Sequence, residues 1–307
     1  MKKIIKPLFL LSTVAMLAAC NSSKGISVDF CTAKARASEI VTLEASEIFK
    51  NSFTYEITSL YEENVKDYRT EEEKMTATIK FDAAKHMSSI DFEQLFNLDY
   101  AADDDNDVKE ETKGKSYFYW DSEDGIIALS EHDEVKSKTY IASNMSLMSF
   151  ASSSQMDFYD AINMVLVIIA NSFDLNILDS QLFYGAAYIL DLCPSEEAFL
   201  GNVDEYSAEY AISENSGDLS VNIEGKAELT STEPGTYSGN TTIKLKSNTV
   251  NYMLKNFLME SEIDGKYNVD ATTSKDVTGI QSDKVVGKKG AKITLPKDLD
   301  SYKPVLS

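Results

Sequence analysis

Two histidines, two arginines and three cysteines in 307 residues leave little material for common catalytic and metal chemistry. His86 and His132 are far apart, so no H-E-x-x-H helix can form. No serine stands in a G-x-S-x-G elbow, and no two cysteines have the C-x-x-C spacing of a redox couple. Positive charge is scarce as well. Lysine supplies nearly all of it, Arg36 and Arg69 being the only arginines, and the formal net charge is -21. Such a surface repels nucleic acid and anionic membrane headgroups. It excludes a basic patch as a means of attachment to either.

Three fragments imitate known sites and fail on spacing. Gly114-Lys115-Ser116 ends like a phosphate loop, but Lys109 stands where its first glycine belongs and a strand follows where a helix is needed. Asp103, Asp105 and Asp107 open like a calcium loop, yet Val108 and Gly114 occupy the glycine and bidentate-carboxylate positions. Glu131-His132-Asp133-Glu134 has a single imidazole and reads as a solvated hairpin edge. No cofactor or metal is expected, and no enzyme.

What is present begins at the N-terminus. Lys2, Lys3 and Lys6 precede a mostly apolar run from Leu8 to Leu17, and Leu17-Ala18-Ala19-Cys20 closes it. That order is a secretory signal peptide. An apolar run of about ten residues is too short to remain as a spanning helix. Its last four residues resemble the bacterial lipobox. That resemblance implies diacylglyceryl transfer to Cys20, cleavage before it, and a membrane anchor facing the extracytoplasmic side of a bacterial envelope. The expected layout is a signal peptide over 1–19, a lipidated tether over 20–30 and one domain over 31–307. Losing three lysines with the signal takes the charge from -21 to -24. Cys31 and Cys193 then remain as an even pair in a compartment that permits disulfides. A bridge and two unlinked thiols both stay open.

With 43% hydrophobic and 10% aromatic residues, the chain can bury a substantial core. Ala33, Ala37, Ile40 and Val41 recur at helical spacing from Thr32 to Phe49. Alternation then takes over: Phe53, Tyr55 and Ile57; Met75, Ala77, Ile79 and Phe81; Met87 to Phe92; Ser116 to Trp120; Ile126 to Ser130; Lys138 to Ala142. The middle is apolar and helical, with Phe158, Ala161, Ile162 and Val165 on one face and Ser180 to Leu192 following before Pro194. Alternation returns in Tyr206 to Ile212, Leu219 to Ile223 and Thr241 to Leu245. Val250 to Met259 reads as a strand with a break in register, Tyr267 to Ala271 as a strand, and Lys292 to Leu295 as a closing one.

Helix, antiparallel meander, apolar helices and second meander describe an α+β domain. This order resembles the lipoprotein-carrier superfamily of LolA and the mycobacterial lipoproteins LppX and LprG. The resemblance implies a curved antiparallel β half-barrel with helices in its concave face, an apolar cavity for acyl chains, and no catalysis. No diagnostic motif accompanies it, so no ligand residue transfers. The residues themselves nominate Trp120, Met145, Met148 and Phe150 as cleft lining, with Phe158, Ile162 and Leu166 from the apolar helix. Lipid, acyl chain or glycolipid would be the ligand. The alternative is a surface lipoprotein with a solid core that binds a protein partner.

Overall fold

The computed structural model describes residues 25–48, 51–85, 87–101, 107–121, 125–132, 135–140, 180–201, 203–213 and 218–304. Strand β1 (Ile26–Val28) leads into helix α1 (Phe30–Ile48). The first meander follows as β2 (Phe53–Val65), β3 (Arg69–Asp82), β4 (Met87–Tyr100), β5 (Val108–Asp121), β6 (Gly125–His132) and β7 (Val135–Tyr140). Helices α2 (Ser180–Leu192) and α3 (Glu196–Leu200) separate it from the second: β8 (Glu205–Ile212), β9 (Leu219–Thr230), β10 (Tyr237–Val250), β11 (Met253–Asn268) and β12 (Ser274–Lys289). A two-residue β13 (Lys303–Pro304) ends the described chain.

All these strands join one open sheet in the order β1-β8-β9-β10-β11-β12-β2-β3-β4-β5-β6-β7-β13. Every pairing is antiparallel except β7 with β13. The two meanders meet at a single seam, β12 against β2, from Val277↔Val65 to Lys289↔Phe53. The architecture is α+β, and the sheet is not a closed barrel.

One face of the sheet, called inner here, carries the core. Phe53, Tyr55 and Ile57 of β2 stand opposite Phe81, Ile79 and Ala77 of β3, and all are buried. Helices α1 and α2 pack on each other and cover the inner face of the second meander. Ala33, Ala37, Ala186 and Ala187 are the close contacts, at no more than 1% exposure. Small side chains let two helices and a sheet approach without voids, as the alanine spacing in α1 predicts. Asp29 caps α1 by accepting the Thr32 N–H at 3.0 Å, and these hydrogen bonds hold its carboxyl below the usual range.

Several local expectations are corrected. Val250 to Met259 is a hairpin rather than one strand: β10 ends at Val250, and Asn251 and Tyr252 turn with φ of 50° and 67°. Positive φ at two successive residues is the signature of a tight hairpin turn that follows the strand twist. The irregularity in register lies just before it, between Asn248 and Thr249. Lys292 to Leu295 is not a strand; it belongs to a C-terminal segment whose Ile293 is buried. That segment also brings Tyr302 against Ile127 and Leu129 on the outer face, where Tyr117 and Tyr119 pack beside them. The tether expected over 20–30 already contains β1 and the start of α1.

Candidate functional site

The inner face changes character along each strand. Ile57, Val285 and Ala77 form one buried apolar row across β2, β12 and β3. Two residues further on, the row is Asp283, Ser59, Met75 and Gln94; two further still, it is Ser261, Gln281, Tyr61 and Glu73. A polar belt therefore borders the apolar floor, and apart from Asp283 and Met75 these side chains are half-buried.

Asp283 is the centre of the belt, only 6% exposed. Ser59 Oγ donates to its Oδ1 at 2.6 Å and Gln281 Nε2 to its Oδ2 at 2.9 Å. Burial pushes its carboxyl above the usual range, the two donors oppose that, and the nearby Glu73 adds to it. Gln94 Nε2 in turn donates to Glu73 Oε1 at 2.9 Å. A hollow of about 10 Å³, room for one water, lies beside Tyr61, Ser261 and Gln281.

Beyond the belt is a second cluster. Glu63 is buried and accepts Arg69 Nε at 3.1 Å and Nη2 at 2.7 Å on one oxygen, with the Tyr61 and Tyr237 hydroxyls on the other. The Arg69 guanidinium also sits 4.9 Å from the centre of the Tyr267 ring. Burial disfavours the Arg69 charge, but Glu63 outweighs it and holds the pKa above the ordinary value. Tyr237 is pushed up by burial and then by the Glu63 charge. On the outer face, behind belt and cluster, a hollow of about 460 Å³ is lined by Glu62, Asn64, Asn240, Glu262, Asp264 and Ile280 among others.

The residues nominated from sequence fare unevenly. Met145, Met148, Phe150, Phe158, Ile162 and Leu166 lie outside the described residues, as do Cys20 and the lipobox. Trp120 is placed near the end of β5, opposite Ile126, but its side chain is outside the description. Cys31 and Cys193 are both free thiols, exposed and half-buried respectively. Ser38 of α1 bonds Asp191 of α2, and the Lys34 charge acts on the Cys193 thiol, so both cysteines lie toward the same end of the helix pair. Gly114 of the false phosphate loop makes room for a core ring: a Cβ there would fall 2.3 Å from Phe92. Among the described residues, no group of three or more His, Cys, Asp or Glu side chains could hold a metal, and no helix is long and apolar enough to cross a membrane.

The belt and the Glu63 cluster have no counterpart in the sequence-level nominations. Polar residues at inner positions interrupt the alternation that marks a strand, and this interruption is the only trace they leave in the sequence.

No family model matches this chain, and no curated protein does. Among solved structures, a study of lipid–protein interactions in lipovitellin matches 81% of this chain at 7% identity and a TM-score of 0.27. The chain spans 26% of that lipovitellin chain. A β-barrel-like protein of a domain of unknown function, DUF1849, from Brucella abortus matches 78% of this chain and 99% of its own, at 6% identity and a TM-score of 0.22. TM-scores this low decide neither the fold nor the ligand of the present chain. The resemblance to LolA, LppX and LprG thus rests on element order and on the likeness of residues 17–20 to a lipobox.

Proposed function

We propose that this chain is a lipid-anchored protein of the bacterial cell envelope that holds an amphipathic molecule against the inner face of its sheet. The observation that carries the reading is the abrupt passage from apolar floor to polar belt, from Ile57 to Ser59 and Tyr61 and from Val285 to Asp283 and Gln281. Burying an aspartate beside the core carries a desolvation cost that the Ser59 and Gln281 hydrogen bonds offset only in part. A face that accommodates a molecule with one apolar and one polar end requires both surfaces side by side. Bending of the sheet into a half-barrel would deepen that surface, and apolar burial would drive uptake without catalysis. The anchor would be the diacylated Cys20, since one acyl chain holds marginally and two hold durably.

Native mass spectrometry of the gently purified protein tests the proposal. Co-purified amphiphile, or saturable binding of a fluorescent fatty-acyl probe to folded protein, is the expected result. Absence of both sinks it. The competing reading is a solid interaction module, and one observation favours it. The core beneath α1 and α2 is filled, with Ile40 and Leu190 at 0% exposure. Should no amphiphile bind, the outer face becomes the working surface.

A further inference from the structure

We infer that residues 291–304 form an exchangeable strap, and that the groove they occupy beside β7 accepts the same segment from a second copy of this chain. The strap leaves β12 at Gly290, whose φ of 87° turns the backbone out of the sheet. It pairs again only at β13, where Lys303 and Pro304 lie parallel to Ser137 and Lys138. No ladder holds it in between. Among residues 291–304 only Ile293 and Tyr302 are buried. Ile293 N–H donates to Asp82 Oδ2 at 3.4 Å, and its carbonyl accepts Lys85 Nζ. A segment with few backbone bonds and two buried anchors opens locally at small cost, and Gly290 is the joint about which it can swing.

The far anchor is seated as a bound peptide would be. Asp298 to Tyr302 closes on itself as a turn, with the Ser301 N–H donating to the Asp298 carbonyl at 2.8 Å and the Tyr302 N–H to the Leu299 carbonyl at 3.1 Å. The Tyr302 ring packs on Ile127 and Leu129, and its hydroxyl donates to Glu131 at 3.2 Å. Lys136 of β7 clamps both ends of the turn, its Nζ 2.6 Å from Asp298 Oδ2 and 5.4 Å from the centre of the Tyr302 ring. These receiving groups lie on β3, the β3–β4 turn, β6 and β7, and none lies on β12, from which the strap departs. The same segment of a second chain therefore meets the same partners, and an exchanged pair keeps every contact of the closed monomer. Strand β7 also has backbone to offer. Of its six residues β13 meets Ser137 and Lys138, and no other described strand pairs with that edge, where Val135 is 69% exposed. Such an edge is a template for strand addition.

The test breaks donor and acceptor in separate full chains. Tyr302→Ala removes the anchor from the strap and leaves the groove intact, whereas Lys136→Glu keeps the strap and turns the groove against Asp298. Sedimentation and native mass spectrometry of the equimolar mixture should show a heterodimer at least about tenfold tighter than either variant forms with itself. A labelled synthetic peptide of residues 290–304 should bind the Tyr302→Ala chain at least about tenfold more tightly than the wild type, whose own strap competes at a local concentration of about millimolar. Binding should vanish when the peptide itself carries Tyr302→Ala. If the Tyr302→Ala chain does not fold, Asp298→Lys, a change at an exposed residue that sets it against Lys136, takes its place. Peptide that fails to bind the opened chain overturns the strap. A mixture of folded variants with no preference for the heterodimer overturns the second copy as its occupant, whatever the peptide does. Neither result touches the amphiphile reading, which concerns the inner face.

Discussion

Glu63 and Arg69 form an ion pair across the β2–β3 turn, with Nη2 2.7 Å from Oε1 and the Glu63 side chain only 1% exposed. Tyr61 and Tyr237 complete the shell around the carboxylate, so one of the chain's two arginines is committed to a buried charge. The pair replaces water on both sides, and removing one partner leaves the other uncompensated. Arg69→Ala should therefore cost about 3–5 kcal/mol in urea denaturation. A loss below about 1 kcal/mol would show that water or a rearranged lysine replaces the guanidinium without penalty.

Gly265 of β11 faces Gly239 of β10, whose φ is 132°. A Cβ on Gly265 would stand 2.1 Å from the Ser238 carbonyl oxygen and 2.8 Å from Gly239 Cα. Both obstacles are backbone, so no side chain can swing aside. Gly265→Ala should destabilise the protein by about 3 kcal/mol or more, a large effect for one methyl group. An unchanged urea midpoint would mean that β10 and β11 separate freely here.

Legibility in the sequence follows inner-face chemistry. Helix α1 is readable because Ala33, Ala37 and Ile40 all turn to one apolar side, and α2 because Pro194 stops an apolar stretch. Strands β2, β3 and β8 to β10 show apolar residues at every second position near the core. Strand β12 does not. Its inner positions include Gly279, Gln281, Asp283 and Gly287, so a period-two pattern never develops over Ser274–Lys289. Yet β12 is the strand that joins the two meanders and carries the centre of the belt. The candidate site was hidden for the same physical reason: a search for apolar lining passes over a polar strand. Pairing of β12 with β2 also spans more than two hundred residues, a contact that no local pattern announces.

The anchor is tested at Cys20. In a bacterial host, Cys20→Ser should abolish acyl labelling if, as proposed, the Cys20 thiol accepts a diacylglyceryl group, because a hydroxyl cannot replace it. Precursor or unmodified protein should accumulate instead. Labelling that persists in the variant removes the lipoprotein claim.

Cys31 and Cys193 are free thiols toward one end of the α1–α2 pair, and export to an oxidising compartment, as proposed, would allow them to link. Peptide mapping without reductant should recover a single Cys31–Cys193 cross-linked species. Complete alkylation of both thiols in unreduced protein would refute the bridge. Where it forms, its loss should cost about 2 kcal/mol, the low end for native bridges, because the large core already holds the helices.

Asp283 gives the last prediction a definite sign. In the unfolded chain its carboxyl titrates near the ordinary value of about 3.9, whereas burial raises it in the fold against the opposing bonds from Ser59 and Gln281. The folded protein then keeps a proton that the unfolded chain has already released. The stability contributed by this group is complete below about pH 3.9 and is lost as pH rises through the raised folded value. Asparagine has no proton to lose and can still accept from Ser59 through its carbonyl oxygen. Asp283→Asn should therefore gain stability relative to the wild type as pH goes from about 4 to 7, read from urea midpoints at each pH. A difference that stays flat across that range would mean that the Asp283 carboxylate is as well solvated in the fold as in the unfolded chain.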